Sequence, residues 1–168
     1  MKVRSYSLLA LAAIRAILLE PPLSAWTDMY KKILVALENS RADLALIPHM
    51  TEFARQFKSE LLLVHVADGW VARNFHKMHL AESEEMKDDQ KYLDKVAEDL
   101  RKKGARVSTH LALGDPPEEI LKTASREHCD LIAMTMHGHR FIADLVLGSA
   151  IHKVRHKTRV PIFLATTK

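Results

Sequence analysis

Five short apolar runs, none longer than eight residues, punctuate the chain between positions 32 and 165. They are Lys32–Leu37 (KILVAL), 61–66 (LLLVHV), Arg106–Leu113 (RVSTHLAL), 130–135 (DLIAMT) and 160–165 (VPIFLA). Runs of this length, rich in branched residues and bounded by turn formers, suit strands better than helices. Four of them are nearly continuous rather than alternating, which is the pattern of a strand covered on both faces. The third alternates, and belongs nearer an edge.

Helical periods fill the gaps. After the first run, Ser40 stands where an N-cap would, and Leu44, Ile47, Phe53, Ala54 and Phe57 form an inward stripe, with Pro48 marking a kink or a delayed start. Residues 68–80, with Trp70, Phe75, His76 and His79, have no clean period and read as a loop or an irregular helical excursion. Residues 81–103 are charged, carry Tyr92, Leu93, Val96 and Leu100 on one face, and stop at Gly104. Gly114-Asp115-Pro116-Pro117 then places Asp115 at an N-cap and Pro116 at the first helical position, with Ile120, Leu121 and Ala124 inward. A last helix runs from Ser149 to about His156.

The order βαβαβαβαβ specifies an α/β fold: an open, five-stranded, mostly parallel sheet with helices on both faces, Rossmann-like in plan. Ligands in such folds sit beyond the carboxyl ends of the strands, where strand order reverses. The tips on that side are Glu38-Asn39-Ser40, Ala67-Asp68 and Met136 to Gly138.

The chain has 168 residues, enough for one domain with a sizeable core. Its single cysteine, Cys129, excludes an internal disulfide framework, suits a reducing compartment such as the cytoplasm, and reads as a small buried hydrophobe. A formal charge of +4 is too small to argue for nucleic acid. Its distribution is more telling: Arg140, Lys153, Arg155, Lys157 and Arg159 face one carboxylate, Asp144. That local field suits a phosphate, unless the cations are only the solvated face of a helix. Residues 1–28 differ from the rest. Lys2 and Arg4 precede a short apolar stretch that Arg15 interrupts, too short to span a bilayer. Three readings of these residues stand: a signal segment without a convincing cleavage site, an appended amphipathic helix, or an extension upstream of a domain beginning at Met29.

The stretch from Asp130 to Ser149 (DLIAMTMHGHRFIADLVLGS) concentrates the chemistry. Glycine breaks at Gly138 and Gly148 let backbone approach a ligand, and the helix start at Ser149 offers N–H groups to an anion. Read alone, they could equally be two ordinary turns. Neither a P-loop nor a clear Gly-x-Gly-x-x-Gly is present.

Together the segments KKILVALENS, LLLVHV, GDPPEEIL, CDLIAMTMHGH and LGSAIHKVRHKTRVPIFLA resemble the universal stress protein family from residue 29 onward. The resemblance implies the adenine nucleotide alpha hydrolase-like fold. The nucleotide-binding branch of that family carries Gly-x-x-Gly, nine residues, then Gly-Ser or Gly-Thr. Gly138 and Gly148 match with nine residues between them, and Ser149 follows, but Thr135 stands at the first glycine. The family's aspartate after strand one is matched by Glu38. The resemblance implies ATP, with phosphates on amides around Gly138, Gly148 and Ser149 and with His137, His139, Arg140 and Ala150 flanking them. It places ribose near Glu38, and adenine by Val66 with Ala36, Leu37 and Ser40 alongside. A divalent cation, Mg or Mn, would arrive with the nucleotide, whose phosphates supply most of its ligands. A homodimer through residues 160–165, starting at Val160, is also implied.

Rival chemistries are thinner. His152 and His156 are spaced i, i+4, and His137 and His139 flank Gly138, but carboxylates are scarce nearby, so no metal site is assigned. Ser149 as a nucleophile needs a base in reach, and a phosphate contact explains it more simply, so no catalytic residue is assigned and any ATP hydrolysis would be slow. Two functions stay open: an ATP-binding stress-response regulator, or a nucleotide-free homodimeric interaction module of the same fold.

Overall fold

The structure is a computed structural model and describes residues 29–69, 72, 74–75, 83–137 and 149–167. The described elements are β1 Lys32–Leu37, α1 Asp43–Phe57, β2 Glu60–Ala67, α2 Glu84–Lys102, β3 Arg106–Leu113, α3 Pro116–Arg126, β4 Leu131–His137, α4 Ser149–Lys157 and β5 Ile162–Thr167. Residues 72 and 74–75, between β2 and α2, are also helical. The other residues expected to form that excursion, and the N-terminal 28, lie outside the described residues.

The sheet has the order β3-β2-β1-β4-β5, and every pairing is parallel. β1 is central, and the run KILVAL shows why: Ile33, Leu34 and Val35 are fully buried. Ile33, Val35 and Leu37 face α1 and α2 among Leu46, Met50, Leu93 and Leu100. Leu34 and Ala36 face α3 and α4 among Ile120, Ala124, Ile151 and Val154. Each large aliphatic side chain buried this way stabilises the fold by roughly 1.5–3 kcal/mol. At the amino ends of the strands the N–H groups of Lys31 and Lys32 donate to the Asp130 carboxylate at 2.7 and 3.2 Å. One acid thus clamps the start of β1 to the residue before β4, 99 positions away in sequence from Lys31.

Two expectations are corrected in α1. The buried stripe is Leu46, Met50 and Ala54, while Leu44 is 72% exposed. At 100° per residue, Leu44 lies about 200° from Leu46, on the opposite side of the helix. Ser40 is not the N-cap either, because the helix starts at Asp43 after a turn through Arg41 and Ala42. The Ser40 hydroxyl instead accepts the Ala42 N–H at 3.1 Å. Pro48 lies inside the helix, where it has no N–H for the ladder.

The ends of α2 follow local rules. Ser83 accepts the Met86 N–H. At the other end Gly104 takes a left-handed φ of 86°, with Ala105 N–H donating to Leu100 O and Gly104 N–H to Arg101 O. That pair of bonds is the Schellman motif, which satisfies carbonyls the helix leaves unpaired. β4 continues to His137, so the first expected glycine break follows the strand directly. β5 begins at Ile162, two residues later than the apolar run, since Val160 N–H is capped by Thr158 and Pro161 has no N–H. Cys129 is buried as expected, and its burial pushes the thiol up to about 11.

Candidate functional site

The chain passes from β1 outward to β3, then crosses back to lay β4 on the other side of β1. Strand order therefore reverses between β1 and β4, and the crevice lies at their carboxyl ends. Glu38 follows β1 directly, and Thr135 is near the end of β4. Thr135 Oγ1 donates to Glu38 Oε1 at 2.9 Å, so the two residues meet across the crevice. Thr135 is 2% exposed and Glu38 is exposed.

The backbone beneath Glu38 is held from three directions. Asp43, 1% exposed at the start of α1, accepts the Glu38 N–H at 3.0 and 3.2 Å and the Ser40 N–H at 3.2 Å. Tyr92 Oη on α2 donates to the same carboxylate at 2.6 Å. Burial, then the Asp43 carboxylate, hold that phenol well above its ordinary range. On β2, His65 Nδ1 donates to Leu37 O at 2.8 Å, while its Nε2 lies 3.3 Å from Asp89 Oδ2. Asn39 Nδ2 donates to Asp89 Oδ1 at 2.9 Å. A carboxylate placed under a turn costs several kcal/mol of desolvation unless donors converge on it, and here they do.

Asp43, His65, Asp89 and Tyr92 were not candidates on sequence. A signal was available for the two acids. Met86, Asp89, Leu93, Ala97 and Leu100 form one stripe of α2, and Asp43 continues the stripe of Leu46, Met50 and Ala54 on α1. An acid on an apolar face needs a buried partner.

Of the expected site residues, Ala36, Leu37, Glu38, Ser40, Val66 and Thr135 sit at the carboxyl ends of β1, β2 and β4 or just beyond them. Ala150 lies in the first turn of α4, and the backbones of His137 and Ser149 end β4 and begin α4. Gly138, His139, Arg140 and Gly148 lie outside the described residues. His152 and His156 lie on α4 with ring centroids 4.4 Å apart and planes tilted by 54°, and both are exposed. Among the described residues no three His, Cys, Asp or Glu side chains form a metal-holding group. Among them also, no helix is long and apolar enough to cross a membrane.

A groove of about 610 Å³ opens beside the turn after β1, between α1 and α2, lined by Asn39, Ser40, Asp43, Leu44, Tyr92 and Val96 among others, but not by Glu38 or Thr135. Volume and chemistry do not coincide here. The strand ends, the reversal of order and the Glu38–Thr135 contact all mark the β1–β4 crevice, which is the stronger criterion for a ligand site.

A wholly parallel sheet of this order, with its crevice beside the central strand, is the arrangement of the adenine nucleotide alpha hydrolase-like α/β fold, which the chain shares with its structural neighbours. The chain belongs to the universal stress protein family, whose model matches residues 29–165. It is 27% identical over 146 residues to universal stress protein YxiE of Bacillus subtilis (strain 168), covering 81% of this chain and 99% of that protein. The solved structure of protein MJ0577 of Methanocaldococcus jannaschii superposes with a TM-score of 0.71 at 26% identity, over 83% of this chain and 98% of that one. The universal stress protein from Archaeoglobus fulgidus in complex with dAMP shares the fold, with a TM-score of 0.62 at 22% identity, covering 82% and 98% of the two chains.

Proposed function

We propose that this chain binds ATP at the β1–β4 crevice and serves as a stress-response regulator without efficient catalysis. The observation that carries the reading is the acid at the switch point. Glu38 is fixed at the carboxyl end of β1, opposite the strand that leads into the glycine stretch. A relative's complex with dAMP supports an adenine nucleotide. Phosphates would rest on amides around Gly138, Gly148 and Ser149, with His137, His139, Arg140 and Ala150 at their margin. Ribose would lie by Glu38, and the base by Val66, Ala36 and Leu37. Mg or Mn would enter with the phosphates.

Residues 29–168 form the binding unit in this reading, with 1–28 an appended segment. β5 is an edge strand with Ile162, Phe163 and Leu164 only partly buried, which suits pairing with a second copy. One observation favours the other reading, a nucleotide-free module: the Thr135 hydroxyl proton and one Glu38 oxygen are engaged with each other within the protein.

Calorimetry with ATP and magnesium separates the two. Binding heat is expected, and Gly148→Val should abolish it while leaving the circular dichroism spectrum unchanged. No heat and no thermal shift at millimolar nucleotide would refute the ATP reading.

A further inference from the structure

The groove between α1 and α2 is walled by two apolar stripes. Leu44 and Ile47 stand three apart on α1, and Tyr92 and Val96 stand four apart on α2, spacings that put each pair on one helix face. Ile47, Tyr92 and Val96 pack onto the core beneath, whereas Leu44 is 72% exposed. A lone exposed leucine calls for no explanation, but one that continues an open apolar channel does. Cations stand at the two ends. Arg41 is two residues from Asp43, which Tyr92 contacts at 2.6 Å, and Lys103 lies eleven residues beyond Tyr92 along α2. At 1.5 Å per residue the groove therefore runs for about 16 Å, or three helical turns. Among the described residues neither cation has a carboxylate partner. The two acids of the lining are already engaged: Asp43 takes donors from Glu38, Ser40 and Tyr92, and Asp99 lies 4.0 Å from the Lys102 ammonium. The charge left for an incoming ligand is positive at each end.

We propose that this groove docks an acidic amphipathic helix of a partner protein, with apolar anchors between α1 and α2 and a carboxylate against each cation. Apolar residues at i, i+3, i+4 and i+7 cover the same three turns that the groove offers. Carboxylates flanking that stripe meet Arg41, whose planar fork suits them, and Lys103. Opposite charge at the rim fixes the direction and register of the helix, while the buried anchors supply most of the affinity. The occupant also rests on the turn that bears Glu38, because Asp43 and Tyr92 line the groove and Asp43 holds the Glu38 N–H. Docking of this kind needs no nucleotide.

Two synthetic peptides of about sixteen residues test it. Both carry leucine at i, i+3, i+4 and i+7; glutamates flank the stripe in one and lysines in the other. In fluorescence anisotropy with the full-length protein, the glutamate peptide should bind about tenfold more tightly than the lysine peptide. Leu44→Gln should weaken the glutamate peptide about tenfold, and Arg41→Glu combined with Lys103→Glu should invert the preference between the two. All three positions are exposed, so the circular dichroism spectrum should not change. No binding of either peptide at millimolar concentration, equal binding of both, or a glutamate-peptide affinity untouched by Leu44→Gln would each overturn the proposal. So would sedimentation in which Leu44→Gln alone turns a wild-type dimer into monomers, which would give the groove to a second copy of this chain.

Discussion

Asp43→Ala offers the sharpest test of the buried network beneath the crevice. The change strips the acceptor from three donors: the N–H groups of Glu38 and Ser40 and the Tyr92 hydroxyl. Hydrogen bonds to a charged group contribute about 1.5–3 kcal/mol each, but the three do not simply add. The N–H groups belong to exposed residues and regain water, and removing the acid also relieves its own desolvation. A net loss of about 2–4 kcal/mol remains, inside the roughly 5–15 kcal/mol expected for a domain, so the variant should still fold. Tyr92→Phe removes one donor and should cost about 1–2 kcal/mol. Because both changes delete the same 2.6 Å bond, the double variant should fall short of additivity by about 1 kcal/mol or more. Urea denaturation monitored by circular dichroism reads all three values. A loss below about 1 kcal/mol for Asp43→Ala, or strict additivity, would refute the idea that this carboxylate holds the turn.

Two further predictions concern the core and pH. Met50→Ala should destabilise by about 2–5 kcal/mol. Leu44→Gln, on the exposed side of α1, should stay within about 0.5 kcal/mol by the same denaturation, and a reversed ranking would mean the helix is rotated from the orientation described. Burial raises the Cys129 thiol from near 9 to about 11, so the folded chain holds that proton more tightly than the unfolded one. That stabilisation is complete below the unfolded value and is lost as pH rises through about 11, at no more than about 1.4 kcal/mol per pH unit. Stability measured between pH 8.5 and 11 should fall less steeply in Cys129→Ala, with the Tyr92 phenol contributing equally to both proteins; identical slopes would count against the burial.

The strands were legible because each apolar run is a property of one segment, buried on both faces by whatever covers it. Helix phase was harder. Leu44 looked like core by composition, and only the position of α1 over β4 and β5 decides that Leu46 and Met50 point inward. Ser40 met the local rule for a cap, yet Asp43 reaches back from inside the helix to take the two N–H groups of the turn. At the site, Glu38 and Thr135 could be placed individually at the ends of their strands. Their contact joins residues 97 apart and has no local signature. The same holds for His65, one polar letter in LLLVHV, whose partner Asp89 sits on a helix that reads as solvated charge.

The clamp at Asp130 bears on synthesis. β1 pairs with β2 along its whole length as soon as residue 67 is available, but its other side waits for β4, some hundred residues after β1 itself. Translation at about 5–20 residues per second leaves that side open for about 5–20 s on the ribosome. During that interval the run from Ile33 to Leu37 presents an unpaired apolar edge, the kind that recruits a neighbouring nascent chain. Lys31 and Lys32 stand at its entrance, where their charge would act as gatekeepers until Asp130 emerges to take their N–H groups.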